Sequence, residues 1–344
     1  MPIDRSALYG QSFLMPDVIT NLREEVRPDC AELDADTNTW AWGRLLEYFG
    51  SEELAKRYER QRICHFACMV YPRSLPDRKA NTHRSMMSIV VLDDTFSRPQ
   101  IQASAEAAKG LHDRWWRLFD LKAPGPGNPV FSVAWETIEL TERQDPLLSA
   151  RLRWRWRELA DSHYFEAIDR AKKHVRTYED YIEERLTNIY GWWLTDTIEY
   201  QAGILLGDLT SSNPILEARI PAMRHVALVN DLYSFPKEID HTEEKNAILV
   251  WMTHDGYTLQ GAVDRLVDEI HLAEAEYVQA REKILLLPMG KRKDVQTYLE
   301  GLEFLMTGNL RWSQLTTRYF GDNHDGRSVK AARIWIEPKE KMYD

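Results

Sequence analysis

Residues 258–286 read TLQGAVDRLVDEIHLAEAEYVQAREKILL. Val263, Leu266, Val267, Ile270, Ala273, Tyr277, Ala280 and Ile284 follow one another in steps of three and four, with polar residues between them. That is the 3.6-residue period of an amphipathic helix, so the stretch predicts one long helix whose apolar stripe needs a partner. Farther on, Leu302, Leu305, Asn309, Trp312, Thr316 and Tyr319 keep the same spacing. Upstream, residues 151–207 are rich in Arg, Glu, Leu, Trp and Tyr and poor in breakers. Clean two-residue alternation is scarce. The one strand-like run, Ile89-Val90-Val91-Leu92, is apolar on all sides and reads equally well as a buried helix segment. Breakers gather in Ala123-Pro124-Gly125-Pro126-Gly127-Asn128-Pro129, read as a loop between helices because helical patterning resumes on both sides. The expected fold is all-α: one domain over residues 1–344, an antiparallel bundle of about ten or more helices.

Composition narrows the function. Among 344 residues there are only 16 Gly but 12 Trp, 15 Tyr and 10 Phe, which disfavours both glycine-loop phosphate binding and disorder. Lys and Arg total 44 against 54 Asp and Glu, a net charge of −10. A nonspecific binder of nucleic acid or anionic membrane carries the opposite sign, so an anionic ligand must be met by a local basic cluster or by metal ions. No apolar run approaches a membrane span, and the N-terminal residues, with Asp4 and no apolar core, do not form a secretory signal. Three cysteines cannot all pair with one another, which fits a reducing cytoplasm.

Four short elements carry chemistry. In Asn230-Asp231-Leu232-Tyr233-Ser234-Phe235-Pro236-Lys237-Glu238, the spacing i, i+4, i+8 puts Asn230, Ser234 and Glu238 in one stripe about 12 Å long on a helix. An amide oxygen, a hydroxyl and a carboxylate suit a hard cation such as Mg²⁺, and Lys237 beside them offers a point charge for phosphate. A polar helix face is the plainer reading of the same spacing. Asp93-Asp94 closes the apolar run Ser88–Leu92; two acids there are costly without a cation, although an aspartate pair in a turn also accounts for them. Arg318-Tyr319 ends a helical pattern that includes Trp312, and Arg185 lies in Tyr181-Ile182-Glu183-Glu184-Arg185; both arginines offer a planar fork to phosphate, although a surface Glu–Arg pairing is the plainer reading of Arg185.

Together these elements resemble the class I terpene synthases, in particular the bacterial type with a single α-domain. Asp93-Asp94 is similar to the start of that family's aspartate-rich motif. Asn230, Ser234 and Glu238 are similar to its N-D-x-x-S-x-x-x-E triad, with Asp231 and Lys237 in place. Arg318-Tyr319 is similar to its C-terminal Arg-Tyr pair, and Arg185, 45 residues before Asn230, to its diphosphate-sensing arginine. Asn246, Trp40 and Trp42 also look like recurring positions. The resemblance covers residues 30–320.

The resemblance implies a helical bundle around an apolar cavity and a cyclase that ionises a linear isoprenoid diphosphate, farnesyl or geranylgeranyl. Three Mg²⁺ ions, replaceable by Mn²⁺, would be held by Asp93, Asp94, Asn230, Ser234 and Glu238, acting as Lewis acids on the leaving diphosphate. Arg185, Lys237, Arg318 and Tyr319 would donate hydrogen bonds to it. By that alignment Asn188 is the linker and the Ile189 carbonyl the effector. Phe96 and Trp312 are the first candidates to stabilise a carbocation with a ring face, followed by Phe66, Trp192 and Trp193, for which core packing is the stronger reading. The enzyme would be cytoplasmic. A homodimer is common in such families, although the sequence carries no interface signal.

Two positions depart from the family pattern. Where a third acid closes the aspartate-rich motif stand Ser97 and Arg98, and where a glycine often follows the sensor stands Ile189, with Gly191 two residues later. A chain-elongating isoprenyl diphosphate synthase needs two full aspartate-rich motifs, and a protonation-initiated cyclase needs D-x-D-D, of which Asp34-Ala35-Asp36-Thr37 falls short. A catalytically inactive helical binding protein is the third alternative, opposed by the intact triad and the Arg-Tyr pair. Cys64-His65-Phe66-Ala67-Cys68 is no zinc pattern and reads as core packing. Gly290-Lys291 lacks the rest of a P-loop. Arg151-Leu152-Arg153-Trp154-Arg155-Trp156-Arg157 reads as a solvated helix face with snorkelling arginines.

Overall fold

The computed structural model describes residues 5–123, 129–169, 177–239 and 245–338. The α-helices among them are α1 (Cys30–Phe49), α2 (Glu52–Arg60), α3 (Ile63–Val70), α4 (Lys79–Phe96), α5 (Pro99–Gln102), α6 (Ala105–Phe119), α7 (Pro129–Gln144), α8 (Pro146–Asp169), α9 (Tyr178–Asn188), α10 (Gly191–Ala202), α11 (Asn213–Glu238), α12 (Ala247–His254), α13 (Leu259–Leu286), α14 (Lys293–Ser313) and α15 (Thr317–Phe320). Two short strands, β1 (Ser12–Leu14) and β2 (Arg333–Trp335), complete the regular structure. The all-α expectation holds. The proposed loop at 123–129 falls mostly on residues outside those described. These elements gather into two compact units. One draws on residues up to 24, then 177–191 and 206–338; the other draws on 25–169 and 192–205.

In the first unit, α11 packs against α13 and α14. The α13 helix forms where its period demands. Thr258 caps its start by accepting from the Gly261 amide at 3.2 Å, and Val263, Leu266, Ile270, Ala273, Tyr277 and Ile284 are buried. Each buried Val, Leu or Ile of that stripe contributes roughly 1.5–3 kcal/mol. The Tyr277 hydroxyl donates to the Leu299 carbonyl of α14 at 2.7 Å, which satisfies the one polar atom on that stripe. Gly290, in the turn between α13 and α14, is required by close approach: a Cβ there would stand 2.2 Å from the Ile284 carbonyl oxygen. The pattern running through Thr316 to Tyr319 is not one helix. The α14 helix ends at Ser313, and Thr316 starts α15 by accepting from the Arg318 amide at 3.1 Å.

β1 and β2 pair antiparallel, Phe13 opposite Ile334. Phe13 is buried and packs edge-on against Phe235 of α11, with centroids 5.9 Å apart. Pro236, next along, has no amide hydrogen to extend the ladder, and α11 closes two residues later.

In the second unit α4 lies between α1, α3, α7 and α8. The ambiguous run Ile89–Leu92 is helical, and all four side chains are buried, as a helix surrounded by others requires. The arginine-rich run of α8 differs from its expectation. Arg151 pairs with Glu199 and Arg155 with Asp196 (2.8 Å), both acids fully buried on α10; Arg153 pairs with Glu142 and Arg157 with Asp120. Buried carboxylates need such partners, so the alternating cations tie helices together. Trp40 likewise has a structural post. Its indole N–H donates to Glu136 at 2.8 Å, and Arg44 and Arg84 lie over its ring at 5.6 and 4.9 Å. Cys30 and Cys68 form a disulfide, against the expectation that the cysteines stay reduced; Cys64 is free and buried.

Candidate functional site

The expected site residues fall in both units, and each set has its own surroundings. In the first unit, Asn230 sits in the C-terminal third of α11. Its Oδ1 accepts from an Arg185 guanidinium nitrogen at 2.7 Å, and its Nδ2 donates to the Tyr319 hydroxyl at 2.6 Å. Three residues chosen from separate sequence motifs thus meet at one amide. Arg185 also bonds Asp231 through Nε at 3.1 Å. Burial disfavours the guanidinium charge, but Asp231, Tyr181 and Glu238 overcome that and hold Arg185 firmly cationic. Burial lifts the Asp231 carboxyl to about 6, against the pull of Arg185.

Asp231 is completely enclosed and fully bonded. Its Oδ2 accepts from the Tyr181 hydroxyl at 2.6 Å and from the Ala247 amide at 3.1 Å. Asn246 is equally buried. Its Nδ2 donates to the Asp231 carbonyl (2.7 Å) and to Glu238 Oε2 (3.1 Å), while its Oδ1 caps α12 by accepting from the Ile248 amide at 3.0 Å. One side chain therefore joins the start of α12 to the acid at the end of α11. Tyr181 was not foreseen as a partner, although it stands four residues before Arg185, on the same face of α9.

The donor set fits a divalent cation. Ser234 is 1% exposed, and its Oγ has no hydrogen-bond partner among the described residues. An orphaned buried hydroxyl costs about 1–3 kcal/mol, which a cation ligand removes. Asn230 Oδ1 keeps a second lone pair beyond the one facing Arg185. Glu238 completes an all-oxygen stripe. Lys237 and Arg318 are half-buried. Trp312 is buried and meets Tyr319 edge-on at 5.6 Å. Beyond Asn188 the helix breaks: Ile189 caps α9, Tyr190 takes a left-handed backbone (φ 48°), and Gly191 starts α10. A Cβ on Gly191 would meet the Leu186 carbonyl oxygen at 2.8 Å, which accounts for glycine two residues beyond the usual place.

In the second unit, Asp93 and Asp94 lie in the last turn of α4. Asp93 Oδ1 is 3.3 Å from Nε2 of His163, whose Nδ1 is 3.7 Å from Glu166. Phe96 stacks on the His163 ring at 5.4 Å. His163 and Glu166 escaped sequence reasoning; their one signal is an i, i+3 pair on α8. At the position of the missing third acid stands Arg98, whose guanidinium is taken up by an aromatic ring. Arg98 lies over the Tyr48 ring at 3.8 Å, and the Tyr48 hydroxyl and Thr95 Oγ1 are 2.6 Å apart. Of the secondary aromatic candidates, Trp193 packs edge-on to Trp156 and Trp192 lies under Arg155, both within this unit.

A family model described as "Terpene synthase family 2, C-terminal metal binding" matches residues 84–276. The chain belongs to the terpene synthase family. The alpha-muurolene synthase of Coprinopsis cinerea is 31% identical over 336 residues, 94% of this chain and 77% of that one. The (E)-2-epi-beta-caryophyllene synthase of Selaginella moellendorffii is 27% identical over 320 residues, 90% and 86% of the two chains. Among solved structures, the germacradien-4-ol synthase from Streptomyces citricolor shares the fold: TM-score 0.73 at 18% identity, covering 86% of this chain and 97% of that one. This terpene synthase is a cyclase that acts on an isoprenoid diphosphate with the help of a divalent metal. Among its described residues no helix is long and apolar enough to cross a membrane.

Proposed function

We propose that this terpene synthase is a Mg²⁺-dependent sesquiterpene cyclase acting on farnesyl diphosphate. The observation that carries the reading is the meeting of Arg185 and Tyr319 at Asn230, beside the orphaned hydroxyl of Ser234. Chain length rests on the relatives, whose names include a sesquiterpene synthase of Cyclocybe aegerita, 33% identical over 183 residues.

Three Mg²⁺ ions, when bound, would supply Lewis-acid stabilisation of the departing diphosphate. Asn230, Ser234 and Glu238 would supply ligands from one motif, and Asp93 and Asp94 from the other. Arg185 is pre-oriented by Asp231, so its fork need not lose rotamer freedom when a diphosphate oxygen arrives. Tyr319 and Arg318 donate further hydrogen bonds to the leaving group. The aromatic faces of Phe96 and Trp312 stabilise the carbocation, and apolar walls keep water from quenching it before ring closure. The reaction belongs to the cytoplasm in this proposal, with the homodimer common in the family.

The test is incubation of purified protein with Mg²⁺ and geranyl, farnesyl or geranylgeranyl diphosphate, followed by gas chromatography of the extract. A C15 hydrocarbon or alcohol from farnesyl diphosphate is expected. C20 products alone would move the assignment to a diterpene cyclase. Longer prenyl diphosphates that form only with added isopentenyl diphosphate would replace it with chain elongation.

A further inference from the structure

The second unit brings together a set of ligand atoms that no single stretch of sequence announces. Cys64 and Cys68 lie one turn apart on α3, and His83 lies on α4. Their two sulfurs and one imidazole nitrogen are within 4.8 Å of one another, and all three residues are buried. His83 Nε2 is 3.3 Å from Cys68 Sγ. The third thiol, Cys30 at the start of α1, is bonded to Cys68 and so stands at the same place. Three sulfurs and one imidazole are thus contributed by three helices.

Tetrahedral zinc, with Zn–S near 2.3 Å and Zn–N near 2.0 Å, needs ligand atoms about 3.6–3.8 Å apart. The cluster has that scale. The histidine is also prepared as a ligand. Its Nδ1 lies 2.7 Å from the Lys79 carbonyl, an acceptor only, so the proton sits on Nδ1 and the Nε2 lone pair points at Cys68. A backbone carbonyl fixing the tautomer in this way is the usual outer support of a metal-bound histidine. Lys79 Nζ in turn holds Asp29, the residue before Cys30, at 2.5 Å, so the starts of α1 and α4 are already tied.

We propose that Cys30, Cys64, Cys68 and His83 form a Cys₃His zinc site that opens when the Cys30–Cys68 disulfide is reduced. A dithiol reductant passes two electrons and two protons to the S–S bond and leaves as its own disulfide. Zn²⁺ then binds three thiolates and neutral His83, releasing three protons to solvent. Disulfide and zinc are alternative clamps at one point: the oxidised form ties α1 to α3, and the zinc form adds α4, which carries Asp93 and Asp94 ten and eleven residues beyond His83. The site is distinct in chemistry from the all-oxygen ligands of the diphosphate motifs, which disfavour thiophilic metals.

Tag-free protein, reduced with a phosphine and freed of metal, is titrated with Co²⁺ as the probe. The expected result is one equivalent of Co²⁺ giving thiolate-to-cobalt charge transfer and tetrahedral ligand-field bands, both bleached by Zn²⁺. Oxygen ligands at the catalytic motifs produce no thiolate band. Cys64→Ser and His83→Gln are expected to abolish the tetrahedral spectrum. Absence of a thiolate–cobalt band in reduced, wild-type, circular-dichroism-verified protein overturns the proposal without any variant. A band of equal strength in the disulfide form, or an unaltered spectrum in both variants, overturns it as well.

Discussion

Asn246 offers the sharpest test of how the end of α11 is held. Asn246→Ala removes three bonds: the cap on α12, the bond to the Asp231 carbonyl and the bond to Glu238. An N-cap is worth about 1 kcal/mol. The two donated bonds contribute about 1 kcal/mol each, Glu238 being half-buried and its charge partly screened. The sum, about 3 kcal/mol, corresponds to a fall of roughly 4 °C in Tm for a chain of this size. Asn246→Ser keeps a capping oxygen but loses both donated bonds, so it should recover about 1 kcal/mol of the loss. The two variants separate stability from ligation. Both release Glu238, so both should raise the Mg²⁺ concentration needed for half-maximal product formation by about 10-fold or more, as loss of an outer-shell partner does. Melts followed by circular dichroism and activity against Mg²⁺ supply the readouts. A Mg²⁺ requirement within twofold of wild type in both variants would refute the idea that Asn246 positions Glu238. Equal melting of Ala and Ser variants would refute the cap.

Asn230→Ala and Asp93→Ala should each abolish product, Asn230→Ala also lowering Tm by about 3 °C through loss of its bonds to Arg185 and Tyr319, and retention of most activity by either one removes its metal assignment. His225 is buried on α11, and burial, followed by His271, lowers it from 6.5 to about 3. The unfolded chain therefore takes up this proton first. The stability it contributes is complete above pH 6.5 and is lost as pH falls toward 3, at about 1.4 kcal/mol per pH unit; urea melts of His225→Phe should show a shallower acid slope. Gly191→Ala puts a methyl 2.8 Å from the Leu186 carbonyl and 3.1 Å from Met223 Sδ, and should cost on the order of 1–3 kcal/mol in denaturant melts.

Periodicity made α13 legible to within a residue, because its stripe meets α11 through side chains at regular intervals. That Asn230, Ser234 and Glu238 share one helix was legible for the same reason: i, i+4, i+8 is a statement about direction as well as order. What stayed hidden depended on contacts between elements far apart in sequence. Asp231 looked like a companion of Asn230, yet it is the buried acid on which Arg185 and Tyr181 converge. The arginines of α8 looked solvated because Asp196 and Glu199, their partners, come from a different helix. The Cys30–Cys68 pair carries no periodic signal, and His163 has only its i, i+3 step to Glu166. The break after Ser313 was missed because the apolar spacing runs on across it, while the local capping bond of Thr316 decides the geometry.

The pairing of β1 with β2 bears on when the enzyme becomes competent. Ser12 and Arg333 are bonded across 321 residues, so this is among the least local contacts in the chain. Such a contact closes its loop late, after nearby helices have condensed. During synthesis Phe13 must wait for residues 333–335 before its sheet can form. The Phe235 ring, next in sequence to Ser234, thus gains its edge-on neighbour only once β2 has been made, and a nascent chain can hold α1 to α15 yet lack this contact.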